Sequence, residues 1–250
     1  MANEIEIKFG SLEFTDDIVI SSFEIKEEKS IGITAIPVTD GSIAEEAKRK
    51  SLTISVEGTV SGSEYDDLRS NIDTLRAALQ NGFQKFTTDN DRYIMAQLKN
   101  FNKALILARQ LANFTATFVA HFPFWLSETE HTDERTPTSG VGYVINNAGN
   151  AKARVKIEIT APAGDITDDA KIENTTNGKS FQYRGTVVAG NVLEVDNRYD
   201  TDDFEVLNDG ADAMVDYEGD FIELEPGDNT IVFTGTAGAT VKITHRDCWY

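Results

Sequence analysis

SLTISVEGTVSGSEYDDLRSNIDTLRAALQNG, residues 51–82, changes its apolar period once, and that change sets the reading of the first half of the chain. Leu52, Ile54, Val56 and Val60 alternate with Ser51, Thr53, Ser55, Glu57 and Thr59. A period of two gives a strand with one apolar and one polar face. After Ser61, Gly62 and Ser63 the steps become three and four: Tyr65, Leu68, Ile72, Leu75 and Leu79 line one face of a helix, expected over residues 64–81. Ser63 is the expected N-cap, its hydroxyl accepting from the free amide of Asp66. Glu64, Asp66 and Asp67 place negative charge at the positive end of the helix dipole. Gly82 supplies the left-handed residue that ends such a helix. The polar helix face, with Arg69, Asp73 and Arg76, is left for neighbours.

Outward from this unit, short strands dominate. Ile5, Ile7 and Phe9 alternate with charges, and residues 18–20 and 23–26 read as further short strands. Residues 29–40 are irregular, with Gly32 and Pro37 marking a loop or edge strand. Lys48, Arg49 and Lys50 form the most basic spot in the chain and read as a solvated loop. Residues 83–86 and 93–98 flank the turn-rich Asp89, Asn90 and Asp91 and read as a hairpin. A separate strand is expected from Ala104 to residue 108. Phe114, Ala116, Phe118, Ala120 and Phe122 then alternate up to Pro123, Phe124 and Trp125, where proline ends the ladder.

Residues 128–140, ETEHTDERTPTSG, have no apolar period and read as a linker. The expected domains are therefore 1–140 and 141–250. The second half is short strands with polar turns: Val155, Ile157 and Ile159 alternate, Thr176, Asn177 and Gly178 mark a hairpin, and residues 213–217, 230–233 and 240–244 read as strands. This pattern predicts an antiparallel β-sandwich.

The chain holds 42 acidic and 23 basic residues among 250, a net charge of −19. That excludes a basic nucleic-acid groove, which needs clustered cations to displace counterions. It also disfavours binding to anionic membranes. The acidity reads as solubility and mutual repulsion, or as a surface that DNA passes without sticking; halophilic adaptation is disfavoured by the lysines that remain. Cys248 is the single cysteine, so no intrachain disulfide forms. No signal peptide and no apolar run near the ~20 residues of a membrane span are expected.

No nucleophile elbow, phosphate loop, dinucleotide fingerprint or zinc-protease helix is present. His121, His131 and His245 stand on separate elements, away from metal-ligand spacing with one another or with Cys248. The acidic stretches around Asp165, Asp168 and Asp169, and from Asp196 to Glu205, hold enough oxygens for Ca²⁺ but lack EF-hand spacing. No catalytic, cofactor or metal residue is assigned, and the chain is read as a non-enzyme.

In this order, the elements resemble the siphophage distal tail protein (Dit) family. The resemblance is carried by Lys48, Arg49 and Lys50 leading into Leu52 to Gly58 and the helix, and by the strand into Pro123, Phe124 and Trp125. In the second half it is carried by Asn147-Ala148-Gly149-Asn150, Ile172-Glu173-Asn174, Tyr183-Arg184-Gly185 and Leu224-Glu225-Pro226-Gly227-Asp228-Asn229. Phe122 departs from the pattern, which often has a polar or acidic residue there. The resemblance implies a mainly β fold with one clear helix: an N-terminal β-sandwich plus helix and β-hairpin ring-forming domain, and a C-terminal galectin-like β-sandwich. It implies a homo-hexameric ring in the virion, at the distal end of a phage tail. There it would join the tail tube protein to the tail-tip hub, hold receptor-binding proteins and let DNA pass. The protein would be made in the host cytoplasm and bind no membrane.

Within that frame an acidic lumen is expected, and the segment at Asp89 to Asp91 with the strand from Ala104 is expected at the ring interface. The alternatives are a tail tube protein with a decoration domain, or a carbohydrate-binding adsorption module. The second needs an aromatic platform. Trp249 and Tyr250 lie at the terminus and Trp125 at the end of the first domain, so no platform is evident in the second domain and no glycan binding is expected.

Overall fold

The computed structural model describes residues 7–10, 12–13, 17–30, 33–35, 42–44, 48–88, 91–106, 110–167, 170–201 and 204–250. Contacts divide the chain into two compact units, Met1–Pro123 and Phe124–Tyr250. The division falls ahead of the boundary expected near 140. The expected linker is instead part of the second unit: His131–Arg135 is a strand whose Asp133 and Arg135 pair with Ile243 and Val241. Ladder hydrogen bonds are made by backbone, so an edge strand forms there without an apolar period.

The first unit contains β1 (Lys8–Phe9), β2 (Leu12–Glu13), β3 (Ile18–Lys26), β4 (Lys29–Ser30), β5 (Ile33–Ala35), β6 (Ser42–Ala44), β7 (Lys48–Arg49), β8 (Leu52–Ser61), α1 (Tyr65–Leu79), β9 (Gln84–Thr87), β10 (Arg92–Ile106) and β11 (Leu111–Ala120). Its main antiparallel sheet runs β2-β1-β9-β10-β11-β8-β3. Leu52, Ile54, Val56 and Val60 of β8 are buried, as are Phe114, Ala116, Phe118 and Ala120 of β11. Leu68, Ile72, Leu75 and Leu79 of α1 are buried too, and α1 lies against β8. The β1–β9 end of the sheet curls so that Phe9 and Phe86 meet Phe118, at ring distances of 4.7 and 5.4 Å.

Several local expectations change. The N-cap is Glu64, with no side-chain cap bond. The Ser63 hydroxyl is seen instead donating to the Asp67 carboxylate in the first turn of the helix. Residues 18–26 are one strand with a bulge between Ile20 and Ser22. Residues 93–98 and the segment from Ala104 belong to a single long strand, β10, bulged between Leu98 and Asn100. Lys48, Arg49 and Lys50 are not a plain loop: β7 pairs with β4, and Arg49 and Lys50 pair with Glu27 and Glu28 at 3.1 and 3.6 Å. Ile5, Gly32, Pro37, Asp89, Asn90 and residues 107–108 lie outside the described residues.

The second unit contains β12 (Trp125–Ser127), β13 (His131–Arg135), β14 (Gly142–Asn147), β15 (Ala153–Thr160), β16 (Ile166–Thr167), β17 (Ala170–Asn174), β18 (Lys179–Tyr183), β19 (Thr186–Val187), β20 (Val192–Asp196), β21 (Glu205–Asn208), β22 (Ala211–Asp212), β23 (Tyr217–Gly219), β24 (Glu223–Leu224), β25 (Gly227–Thr234), β26 (Thr240–His245) and β27 (Cys248–Trp249). Two antiparallel sheets carry its core, one ordered β14-β25-β17-β18-β23 and the other β13-β26-β15-β20-β21-β22. Ile172, Phe181, Ile231 and Phe233 of the first are buried, as are Val155, Ile157, Ile159, Leu193, Val241 and Ile243 of the second. The strand expected over 213–217 is replaced by a short 3-10 turn, Met214–Asp216. Val215 there is 90% exposed, so no apolar face holds the segment in a sheet.

The turn regions of this unit are held by buried asparagines. Asn174 Nδ2 donates to the Glu223 carbonyl at 2.8 Å and to Asn229 Oδ1 at 2.9 Å. Asn229 in turn donates to the carbonyls of Glu225 and Gly227, and its Oδ1 accepts from the Glu225 amide. Asn147 Nδ2 donates to the Ala151 carbonyl at 2.8 Å. Each amide replaces water as partner for turn backbone that would otherwise be buried unpaired. Among the described residues, no helix is long and apolar enough to cross a membrane.

Candidate assembly surfaces

The first unit presents a sheet with two unlike edges. At one end β3 pairs only with β8 among the described residues. At the other, β9 covers β10 only from Tyr93 to Ala96, while Asn100 to Ile106 pair with β11 on one side. Beside this second edge, a groove of about 230 Å³ is lined by Arg76, Leu79 and Gln80 of the helix end and Leu98, Lys99, Asn100 and Phe101 of β10. The residue Ala104, expected at an interface, stands on this edge and is exposed. Of the expected turn, only Asp91 lies among the described residues.

The sheet's two faces differ as sharply as its edges. One is buried under α1 and the phenylalanines. The other carries Ser22, Glu24 and Lys26 of β3, Thr53, Ser55, Glu57 and Thr59 of β8, Asn113, Thr115, Thr117 and Val119 of β11, and Gln97, Asn100 and Asn102 of β10. Glu24 and Lys26 stand 3.6 Å apart and Glu57 accepts from the Ser22 hydroxyl at 3.3 Å. This face thus carries two acids, Glu24 and Glu57, and one base, Lys26, among hydroxyl and amide side chains and Val119. Acidic side chains such as Glu64, Asp66, Asp67 and Asp73 lie on the exposed side of α1.

In the second unit the acidic stretches are bound by the protein itself. Arg198 grips Asp196 at 2.7 Å and reaches Glu130 at 3.5 Å, and Arg246 pairs with Asp200 at 3.2 Å and Glu130 at 3.1 Å. Asp165 accepts from the Ala189 amide at 2.8 Å, closing a turn. Asp168, Asp169, Asp202 and Asp203 lie outside the described residues. Guanidinium pairing leaves these carboxylates committed, and no metal-binding group of three ligands exists among the described residues.

The fold brings together two histidines that the sequence holds far apart. His131 and His245 are register partners on β13 and β26, with rings 5.4 Å apart. His131 Nε2 lies 3.1 Å from Asp247 Oδ2, and His245 Nε2 donates to the Asn146 carbonyl at 3.1 Å. Burial pulls the His245 pKa below its ordinary value, outweighing the Asn146 bond and the Asp247 charge. His121 contacts Gln97 at 2.8 Å in the first unit. Cys248 is buried and its thiol is pushed up to about 12 by desolvation, so it is neutral and inert.

A run of stacked side chains crosses the second unit: Phe181, Tyr217, Phe221, Phe204, Arg154, Tyr199, Phe124 and Tyr250. Neighbouring rings lie 4.8–5.8 Å apart, and the Arg154 guanidinium sits 4.4 Å from the Tyr199 ring and 4.9 Å from that of Phe204. These aromatics were not legible as a group, because they come from six separate segments. Sugar platforms need a bare ring face. Here Tyr217 and Phe221 stack against each other, and Phe204, beside Phe221 and Arg154, keeps 47% of its surface exposed.

Comparisons with known proteins agree with this architecture. Residues 148–249 match the family of the siphovirus-type tail component, C-terminal domain. No curated protein sequence matches the chain. The crystal structure of the Dit protein of phage SPP1, described as a paradigm of the hub adsorption apparatus in phages infecting Gram-positive hosts, is 15% identical. The match covers 99% of this chain and 100% of that one with a TM-score of 0.75. A chain of the phage p2 baseplate in its activated conformation is 10% identical, with 96% and 97% covered and a TM-score of 0.54. Residues 148–249 thus match the siphovirus-type tail component C-terminal domain family, and the chain as a whole shares its fold with the SPP1 Dit protein.

Proposed function

We propose that this chain is the structural subunit of a homo-hexameric ring at the distal end of a siphophage tail. The ring joins the tail tube protein to the tail-tip hub and leaves a channel for DNA; the second unit offers a surface for receptor-binding or other adsorption proteins. The role is structural, and its place is the virion after synthesis in the host cytoplasm. The observation that carries this reading is the pair of unlike edges on one sheet, β3 and the distal half of β10. An exposed edge is a template for another strand. Because the two edges differ, pairing β3 of one copy with β10 of the next is head-to-tail, and repetition of such a contact builds a ring where the rotation between copies closes. The likeness in fold to a hub protein and to a baseplate chain supports the same setting.

Mass photometry and negative-stain microscopy of the purified protein, alone and with tail tube protein, test the proposal. Rings of six copies are expected. A monomer under all these conditions sinks it. Lys99→Glu with Lys103→Glu, two charge reversals on the β10 edge, are expected to lower the ring fraction at least tenfold without changing the melting temperature.

A further inference from the structure

We infer that Asn81 is a site of spontaneous deamidation and that Asn177, in the same dipeptide, is protected from it. Asn-Gly occurs twice in the chain, at 81–82 and at 177–178. In this reaction the glycine amide nitrogen, stripped of its proton by hydroxide, attacks the asparagine Cγ. A C–N bond forms, the Cγ–Nδ2 bond breaks, and the side-chain nitrogen leaves as ammonia after taking a proton from water. Water then opens the resulting succinimide at either carbonyl, giving aspartate or isoaspartate. Water is the co-reactant, and nothing is oxidised or reduced. The chemistry needs an unencumbered glycine amide and an asparagine side chain able to turn onto it. Glycine, with no Cβ, obstructs the approach least.

The two sites are matched in backbone and in free space, and they differ in hydrogen bonding. Gly82 and Gly178 have φ of +77° and +75°, and the space that a Cβ would fill is open at both. At 177–178 each reacting group is engaged. The Gly178 N–H donates to the Asn174 carbonyl at 2.8 Å. Asn177 Nδ2 donates to the Glu223 carbonyl at 2.9 Å and to Glu225 Oε1 at 3.4 Å, and Asn177 Oδ1 accepts from the Lys179 amide at 3.1 Å. Attack there must wait for these bonds to open together. At 81–82 the backbone bonds of α1 end with the Gln80 amide, and Asn81 is exposed. Among the described residues, neither the Asn81 side chain nor the Gly82 amide makes a hydrogen bond. Only the Asn81 carbonyl is used, accepting from Gln84 Nε2 at 3.0 Å. The products change the helix end. Aspartate sets a carboxylate at the negative end of the α1 dipole, and isoaspartate adds a methylene to the backbone between α1 and β9.

The test uses the full chain, incubated at mildly alkaline pH, sampled over days, digested at acidic pH and read by peptide mass spectrometry. In the folded protein Asn81 is expected to convert about tenfold or more faster than Asn177, while in concentrated urea the two rates should agree within about twofold. The Asn81 rate should rise with pH, since the nucleophile is the deprotonated amide. Comparable rates at the two sites in the folded chain overturn the inference, as does conversion of Asn81 in urea alone. A tenfold difference that persists in urea overturns the protection of Asn177 by the fold. Asn81→Gln should remove the first acidic species that isoelectric focusing of the aged, folded protein resolves; persistence of that species overturns the assignment to Asn81.

Discussion

Gly58 on β8 and Phe114 on β11 are register partners, and the Phe114 ring lies where a side chain at Gly58 would stand. A Cβ at Gly58 would come within 2.6 Å of that ring and 2.5 Å of the Val19 carbonyl oxygen. Glycine here lets an aromatic cover the sheet at a position that otherwise calls for an apolar residue. Gly58→Ala should therefore lower the stability of the first unit by about 1–3 kcal/mol, the cost of overpacking. Urea unfolding measures it, and Phe114→Leu in the same chain should recover part of the loss. An unchanged midpoint for Gly58→Ala would contradict the contact.

Arg154 is clamped between Tyr199 and Phe204 and lies 4.0 Å from Glu223. Arg154→Met keeps much of the volume but removes the charge from two ring faces. A loss of about 1–3 kcal/mol in the second unit is expected, from two partly desolvated cation–π contacts. Arg154→Lys should recover only part of it, since an ammonium cannot stack flat. Near-UV circular dichroism should change with the loss of ring stacking; an unaltered spectrum in Arg154→Met would rule out the stack as a unit.

Asn229 is fully buried and satisfies Asn174 and the 225–227 turn together. Asn229→Leu preserves bulk and leaves several backbone groups unpaired. The expected cost is on the order of 3 kcal/mol, at 1–3 kcal/mol for each orphaned group. Calorimetry of the variant should show the second unit melting well below the wild type. A loss under half a kcal/mol would mean that water replaces the amide without cost.

His245 is buried neutral, faced by His131, Asp247 and Asp133. Its folded pKa lies below the ordinary 6.5, so the unfolded chain binds more protons in that range. Its contribution to stability is complete above pH 6.5 and is lost as the pH falls toward the folded value. The second unit's melting temperature should drop between pH 7 and pH 5, and His245→Asn should flatten that dependence. An identical pH profile in wild type and variant would remove His245 as the cause.

No specific sub-millimolar glycan binding by the second unit is expected, since Phe221 and the Arg154 guanidinium pack against the exposed Phe204 ring. A glycan-array hit that disappears in Phe204→Ala would overturn this.

The periodicities were legible from the chain alone. The change of step between Val60 and Tyr65 located β8 and α1, and the alternation from Phe114 to Ala120 located β11, because one-sided burial writes itself into period. The same logic found the 176–178 hairpin and the core of the second sandwich. It failed at β13, where His131 to Arg135 form a strand through backbone pairing at a sheet edge without an apolar face to betray it. It split β10 in two, because the bulge at Lys99 shifts the alternation in mid-strand.

Ser51 to Leu79 of the sequence thus determined a strand, a helix and the face on which they meet, since those depend on neighbours in the chain. Net charge set the chain against a basic nucleic-acid groove. Where that charge goes was decided only by the tertiary structure. Pairing of β3, β8, β11 and β10 placed Thr53, Thr117 and Asn102 on one open face beside Glu24 and Glu57, and it created the two unlike edges. The aromatic run through Arg154 and the meeting of His131 with His245 were settled there too. Such groupings depend on strand register between distant segments, which no local pattern of residues encodes.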